Sequence, residues 1–127
     1  LVQRMAGVWI LFQQGTATIQ SPEQLQGVRR ISELLHQLDD TAHLSGATVI
    51  LEITGQTDVV GRSSRNQRLS EDRARSVLDA LHPATFSAIT FHARGIGPAP
   101  ESVPSQGAAT LPQDRRVSFQ ATVHPAS

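Results

Sequence analysis

Cysteine is absent from this chain of 127 residues. That excludes disulfides, thiolate metal sites and thiol nucleophiles, and it fits either side of a membrane. Lysine is absent as well, so all eleven basic residues are arginines, balanced by eleven acids. A net charge of zero leaves no global field to draw in nucleic acid or anionic lipid, so no nucleic-acid partner is expected. One Trp and four Phe offer little for stacking on bases. No apolar run is long enough to cross a bilayer. The stretch "MAGVWILF" is short, leads into a turn and lacks the basic flank and cleavage site of a signal peptide. The chain does not begin with Met, so it is expected to be a fragment or a mature form, with any membrane attachment supplied by a segment of the parent. Its length suits one domain over residues 1–127 with a modest core.

Periodicity divides what remains into six elements. Met5 to Phe12 is an apolar, β-prone run. At Ser21 a helix begins with a hydroxyl cap, Pro22 at the first helical position and Gln24 to complete a capping box. Leu25, Val28, Ile31, Leu34, Leu35 and Leu38 follow as one apolar stripe, which ends between Asp39 and Gly46. Ala47 to Thr54 ("ATVILEIT") is a β-branched strand, and Gly55 to Arg65 reads as a polar loop. A second helix starts near Asn66, turns Leu69, Ala74, Val77, Leu78 and Leu81 inward, and stops at Pro83. Ser87 to Arg94 alternates as a strand does, and Gly95 to Gln113 is a Pro- and Gly-punctuated loop. A last strand carries Val117, Phe119, Ala121 and Val123 on one face, and residues 124–127 are expected to fray. The order βαβαββ predicts an α+β fold, with two main helices covering one face of a four-stranded mixed sheet.

Enzyme signatures are missing. The five His residues never fall at metal-ligand spacing with each other or with a Glu, so no metal is expected. No G-x-S-x-G elbow marks a hydrolase. "GQTDVVGRS" departs from a phosphate loop: it has one residue too many between the glycines, and Arg62 stands where Lys is required. No cofactor and no enzymatic activity are expected.

The charge is concentrated between Gly55 and Val77, in "GQTDVVGRSSRNQRLSEDRARSV". Gly55, Thr57, Asp58 and Gly61 lie just beyond the carboxyl end of a strand, where loops often bind ligands. Arg73 follows inside the next helix. If that helix packs back on the sheet, Asp58 and Arg73 face one another across a shallow polar pocket outside the core. Spacing alone leaves a second reading open, in which Asp58 bonds its own turn and Arg73 belongs to a solvated face beside Glu71 and Asp72.

The string Thr57-Asp58-x-x-Gly61-x-x-x-x-Asn66-x-x-Leu69-Ser70-x-x-Arg73-Ala74-x-x-Val77 resembles the signature of OmpA-like C-terminal domains. These are the periplasmic parts of outer-membrane porins, peptidoglycan-associated lipoproteins and flagellar stator proteins. "ARGIGPAPESVP" and "QDRRVSFQATV" resemble the family's Gly-x-Gly loop and its closing strand, so the resemblance covers nearly the whole chain. It implies the two-layer OmpA-like sandwich, a periplasmic location and non-covalent binding of peptidoglycan. In the family the matched Asp and Arg grip the diaminopimelate of the stem peptide. Here those are Asp58 and Arg73, with Thr57 and Asn66 at supporting positions and Arg115 as a basic residue near the pocket.

The chemistry is consistent with that assignment. Diaminopimelate carries an ammonium and a carboxylate on one carbon, and a guanidinium offers a planar fork to a carboxylate. Three positions depart from the family pattern: Gln56 replaces a frequent His, Gln13 loses an acid at the end of the first strand, and Gly15 replaces a more polar residue. These departures motivate an alternative, an OmpA-like fold that has lost its ligand and serves as a protein–protein interaction module, for instance in a homodimer.

Overall fold

The computed structural model describes residues 7–13, 15–57, 63–98 and 115–126. The expected order of elements is present: β1 (Ile10–Leu11), α1 (Pro22–Ser45), β2 (Thr48–Thr57), α2 (Ser63–Leu81), β3 (Ile89–Pro98) and β4 (Arg116–His124). The four strands form one mixed sheet in the order β1-β4-β2-β3. β4 runs antiparallel to both β1 and β2, and β2 runs parallel to β3. The parallel pair is joined by α2, as a crossover requires.

Alternation in the strands sets the two faces. Val49, Leu51 and Ile53 of β2 and Val117, Phe119 and Ala121 of β4 are buried. They meet Ile31, Leu34, Leu35, Leu38 and Ala42 of α1 and Ala74, Val77 and Leu81 of α2 in one core. The opposite sheet face is polar, with Glu52 and Arg94 paired across β2 and β3 at 4.0 Å. This is the two-layer arrangement that the element order implied.

The start of α1 follows the sequence closely. Ser21 Oγ accepts the Gln24 N–H, and Gln24 Oε1 accepts the Ser21 and Gln20 N–H groups. The Gln24 side chain also donates through Nε2 to the Leu11 carbonyl at 2.9 Å, so one residue both caps the helix and ties it to β1. Gln24 is buried for that reason, whereas Leu25, expected in the apolar stripe, is 51% exposed. Asp39, expected where the stripe ends, is buried within the helix, and its Oδ1 accepts the Ala88 N–H at 2.9 Å.

Several expected boundaries move. Among the described residues the first strand is Ile10–Leu11, shorter than the apolar run. β2 continues past Thr54 to Thr57, and β3 continues past Arg94 to Pro98, so segments that read as loops are strand. The cause is a pair of glycines directly opposite each other, Gly55 and Gly95. A Cβ on Gly55 would overlap the Ser70 carbonyl, and one on Gly95 would overlap Ser70 and the Glu71 amide. The bare backbone there lets α2 lie directly on the strands. Ser70 fills the contact: its Oγ donates to the Gln67 carbonyl at 2.7 Å and accepts the Gly97 N–H at 2.9 Å. α2 begins at Ser63 rather than near Asn66. At the far end, Val123 shares the inner face but is 41% exposed, where cover by the helices runs out. His124, expected to fray, pairs with Thr48.

Candidate functional site

The buried stripe of α2 changes character along its length. Asn66, Ser70 and Arg73 are buried, and so are Ala74, Val77 and Leu81 further on. The first half of the stripe is therefore polar and the second apolar. The polar half lies at the carboxyl end of β2, beside Gln56 and Thr57. An amphipathic reading of α2 misses this, because it assigns polar residues to the solvent by default.

Arg73 is the centre of the arrangement. It was expected at a shallow pocket outside the core, but it is 1% exposed. Its Nε donates to the Thr16 carbonyl at 2.7 Å, Nη1 to the Gln56 carbonyl at 3.0 Å and Nη2 to the Gln13 carbonyl at 3.0 Å. The guanidinium carbon lies 5.4 Å from the Phe12 ring centroid. A guanidinium carries several donors in a fixed fork and can be buried when carbonyl dipoles receive them. Arg73 thus joins α2, the end of β2 and the turn after β1. That turn is closed by the Thr16 N–H on the Gln13 carbonyl, and Gly15 adopts a left-handed φ of 77° within it. A glycine suits position 15 because of this backbone requirement.

Thr57, the last residue of β2, is 1% exposed. Its Oγ1 and the neighbouring Gln56 Oε1 are buried with no hydrogen-bond partner among the described residues. Buried orphan polar atoms are uncommon, and each asks for an explanation such as water, an ion or a ligand. Asn66 is buried in the first turn of α2. Asp58 lies outside the described residues, and so do residues 59–62. Of the expected site residues, then, the structure brings Arg73 to the carboxyl end of β2 beside Thr57, and buries Asn66 in the first turn of α2.

Arg115 meets this group through Phe12, whose ring lies under the Arg73 guanidinium. It precedes β4, and its Nε donates to the Phe12 carbonyl at 3.1 Å. It lines a cavity of about 400 Å³ whose other walls include Trp9, Gln13, Thr16, Ser21, Glu23 and Gln24. Gln13 and Thr16 are common to both places, since their carbonyls hold Arg73. Sequence reasoning had no access to these carbonyl contacts, because any residue type supplies a carbonyl.

A second polar cluster invites comparison with a catalytic triad and fails it. His43 Nε2 lies 2.6 Å from Ser87 Oγ and 3.6 Å from Asp39 Oδ2. A Ser-His-Asp relay needs the hydroxyl and the carboxylate on opposite ring nitrogens, and here both approach the same one.

The fold and this buried polar end define an α+β domain of the OmpA type. The OmpA family model matches residues 11–109, and the chain belongs to the OmpA family. It resembles Outer membrane protein A of Klebsiella aerogenes, 38% identical over 98 residues, covering 77% of this chain and 25% of that protein. It also resembles Outer membrane protein A of Serratia odorifera, 39% identical over 82 residues, covering 65% of this chain and 32% of that protein. The chain therefore spans a quarter to a third of these relatives' length. Among solved structures it is similar to the peptidoglycan-associated lipoprotein from Burkholderia pseudomallei, with TM-score 0.65 and 20% identity over 90% of this chain and 89% of that one. The C-terminal domain of Helicobacter pylori MotB gives TM-score 0.67 and 16% identity over 90% and 83% of the two chains. At those identities the structures establish the fold.

Proposed function

We propose that this domain binds peptidoglycan non-covalently through the diaminopimelate of the stem peptide, and so anchors a larger envelope protein to the cell wall from the periplasm. It acts as a binding module rather than an enzyme. The observation that carries this reading is the buried guanidinium of Arg73 at the carboxyl end of β2, in a chain of the OmpA family, directly before Asp58. A carboxylate and a guanidinium at one place complement a group that holds an ammonium and a carboxylate on the same carbon. The orphan Thr57 hydroxyl and Gln56 amide oxygen supply further polar atoms at that strand end. Each charge-assisted bond contributes about 1.5–3 kcal/mol, so two or three give a single-site affinity of roughly millimolar to micromolar. A polymer that repeats the ligand raises retention through effective concentration.

The three main-chain bonds of Arg73 favour one rival. In it Arg73 only braces the fold, and the domain has become an interaction module or dimer. Retention on insoluble peptidoglycan sacculi separates the two. The anchoring reading expects the domain in the pellet, with Asp58→Asn releasing it to the supernatant. If the parent chain stays in the supernatant, that reading fails.

A further inference from the structure

The cavity of about 400 Å³ between β1 and the first turn of α1 has a composition that the stem-peptide site does not use. Its volume falls in the range of about 300–1,000 Å³ usual for small-molecule sites. Trp9 forms one wall and is 47% exposed. The Arg116 guanidinium stacks over the Trp9 ring at 4.2 Å, which holds the indole in one orientation. Trp9 lines the cavity and Arg116 is not among the lining residues. The other lining residues include Glu23 in the first turn of α1, Ser21, Thr16 and Gln13, so polar side chains outnumber apolar ones beside the indole. The Ser21 hydroxyl accepts the Gln24 N–H, and the Thr16 hydroxyl donates to the Gln13 carbonyl.

These features select one ligand chemistry. Among the described residues one acid, Glu23, and one base, Arg115, line the cavity, so no excess of either sign selects an ion of the opposite charge. An exposed indole beside hydroxyls, amides and a carboxylate suits a pyranose ring. The axial C–H bonds of such a ring form an apolar face for the aromatic surface, and its hydroxyl and acetamido groups seek donors and acceptors at the edge. The place suits it as well. Gln13 and Thr16 line the cavity, while their carbonyls receive the Arg73 guanidinium. The two places share one turn of backbone, just as the sugar and stem peptide of a muropeptide are covalently joined.

We propose that this cavity is a glycan subsite, in which Trp9 stacks on an N-acetylhexosamine of the peptidoglycan strand and Glu23 accepts its hydroxyl protons. The proposal rests on the peptidoglycan reading, but it turns on Trp9 and Glu23 rather than on Asp58 and Arg73, and it fails separately.

The chain's single Trp is the reporter. The full chain is titrated with three ligands: the peptide-free disaccharide of N-acetylglucosamine and N-acetylmuramic acid, the sugar-free diaminopimelate stem peptide, and the disaccharide-peptide. The disaccharide is expected to change Trp9 fluorescence saturably. By calorimetry the disaccharide-peptide is expected to bind about tenfold more tightly than the sugar-free peptide, a difference of about 1.4 kcal/mol. Trp9→Ala should abolish that tenfold gain and leave affinity for the sugar-free peptide unchanged. Glu23→Gln, a change on the helix surface that keeps Trp9 in place, should reduce the gain and keep the fluorescence response.

If Trp9 emission ignores the disaccharide and the two peptide ligands bind equally, the glycan subsite is overturned while stem binding stands. If the disaccharide quenches Trp9 but the stem peptide does not bind, the subsite stands and the diaminopimelate reading falls. Silence from all three ligands overturns both.

Discussion

At Arg73 one guanidinium serves the backbone as well as any ligand. Its bonds to the carbonyls of Gln13, Thr16 and Gln56 make it a brace between elements. Arg73→Ala would leave those carbonyls buried without their donor, and each orphaned group costs about 1–3 kcal/mol, with losses that do not simply add. We expect Arg73→Ala to lower the unfolding free energy by about 2–4 kcal/mol, read as a shift of the urea midpoint. Arg73→Lys should recover only part of this, because an ammonium lacks the planar fork that reaches three carbonyls. A ligand-binding defect in Arg73→Ala is therefore ambiguous, and Asp58 is the better probe of the site. Asp58→Asn should weaken diaminopimelate binding by about 1.5–3 kcal/mol, the value of one charge-assisted bond, with a urea midpoint close to the parent's. Calorimetry at one ionic strength measures it, and unchanged affinity would remove Asp58 from the site.

Among the elements, α2 is held to the sheet by the absence of side chains. Gly55 and Gly95 face each other across β2 and β3, and Ser70 rests on both. Gly55→Ala places a methyl group against the Ser70 carbonyl, so the helix must rise from the sheet. Overpacking of this kind costs about 1–3 kcal/mol, and here the obstacle is backbone with little room to yield. Because Arg73 is on the same helix, the shift also strains its carbonyl bonds. We expect Gly55→Ala to lower the denaturant midpoint, and to reduce sacculus binding in the fraction that remains folded. At α1 the effect is smaller. Gln24→Ala removes the side-chain half of the capping box, the bonds from the Ser21 and Gln20 N–H groups to Gln24 Oε1, together with the bond to the Leu11 carbonyl, each worth about 0.5–1.5 kcal/mol. The Ser21 Oγ bond to the backbone N–H of residue 24 remains. Thermal unfolding should report a modest loss, accompanied by faster hydrogen exchange at the Ser21 and Gln20 amides.

For the whole molecule, the zero net charge means that, under the proposed function, attraction to the wall is local. Salt should weaken binding without abolishing it, since screening acts strongly on exposed charges and weakly on a buried guanidinium. The chemistry of the ligand gives a sharper test. A stem peptide with Lys keeps the ammonium but offers no carboxylate to Arg73, and amidation of diaminopimelate removes the charge and one acceptor. A site built around polar groups rejects analogues that leave them unpaired. Titration with the three forms should therefore show measurable affinity for diaminopimelate and much weaker binding of the other two. Equal affinity for all three would rule out a clamp on the zwitterion.

The sequence by itself determined the element order, the capping of α1 at Ser21, Pro22 and Gln24, and the inner face of β4. Each of these rests on local chemistry or on a period of two or three to four residues, which a linear pattern records. The OmpA resemblance was legible because its signature combines side chains at fixed spacing. Only the tertiary structure decided that Arg73 is buried, that β2 and β3 run on through their glycines, and that Arg115 lines a cavity together with Trp9. Those outcomes depend on main-chain carbonyls and on a Cβ that is missing, and neither leaves a periodic trace. Loop-like composition at Gly55 and Gly95 follows from close approach of a helix, a fact about packing between distant segments. The carbonyls of Gln13 and Thr16 that receive Arg73 come from residues 60 and 57 positions away, and no residue type was required of them.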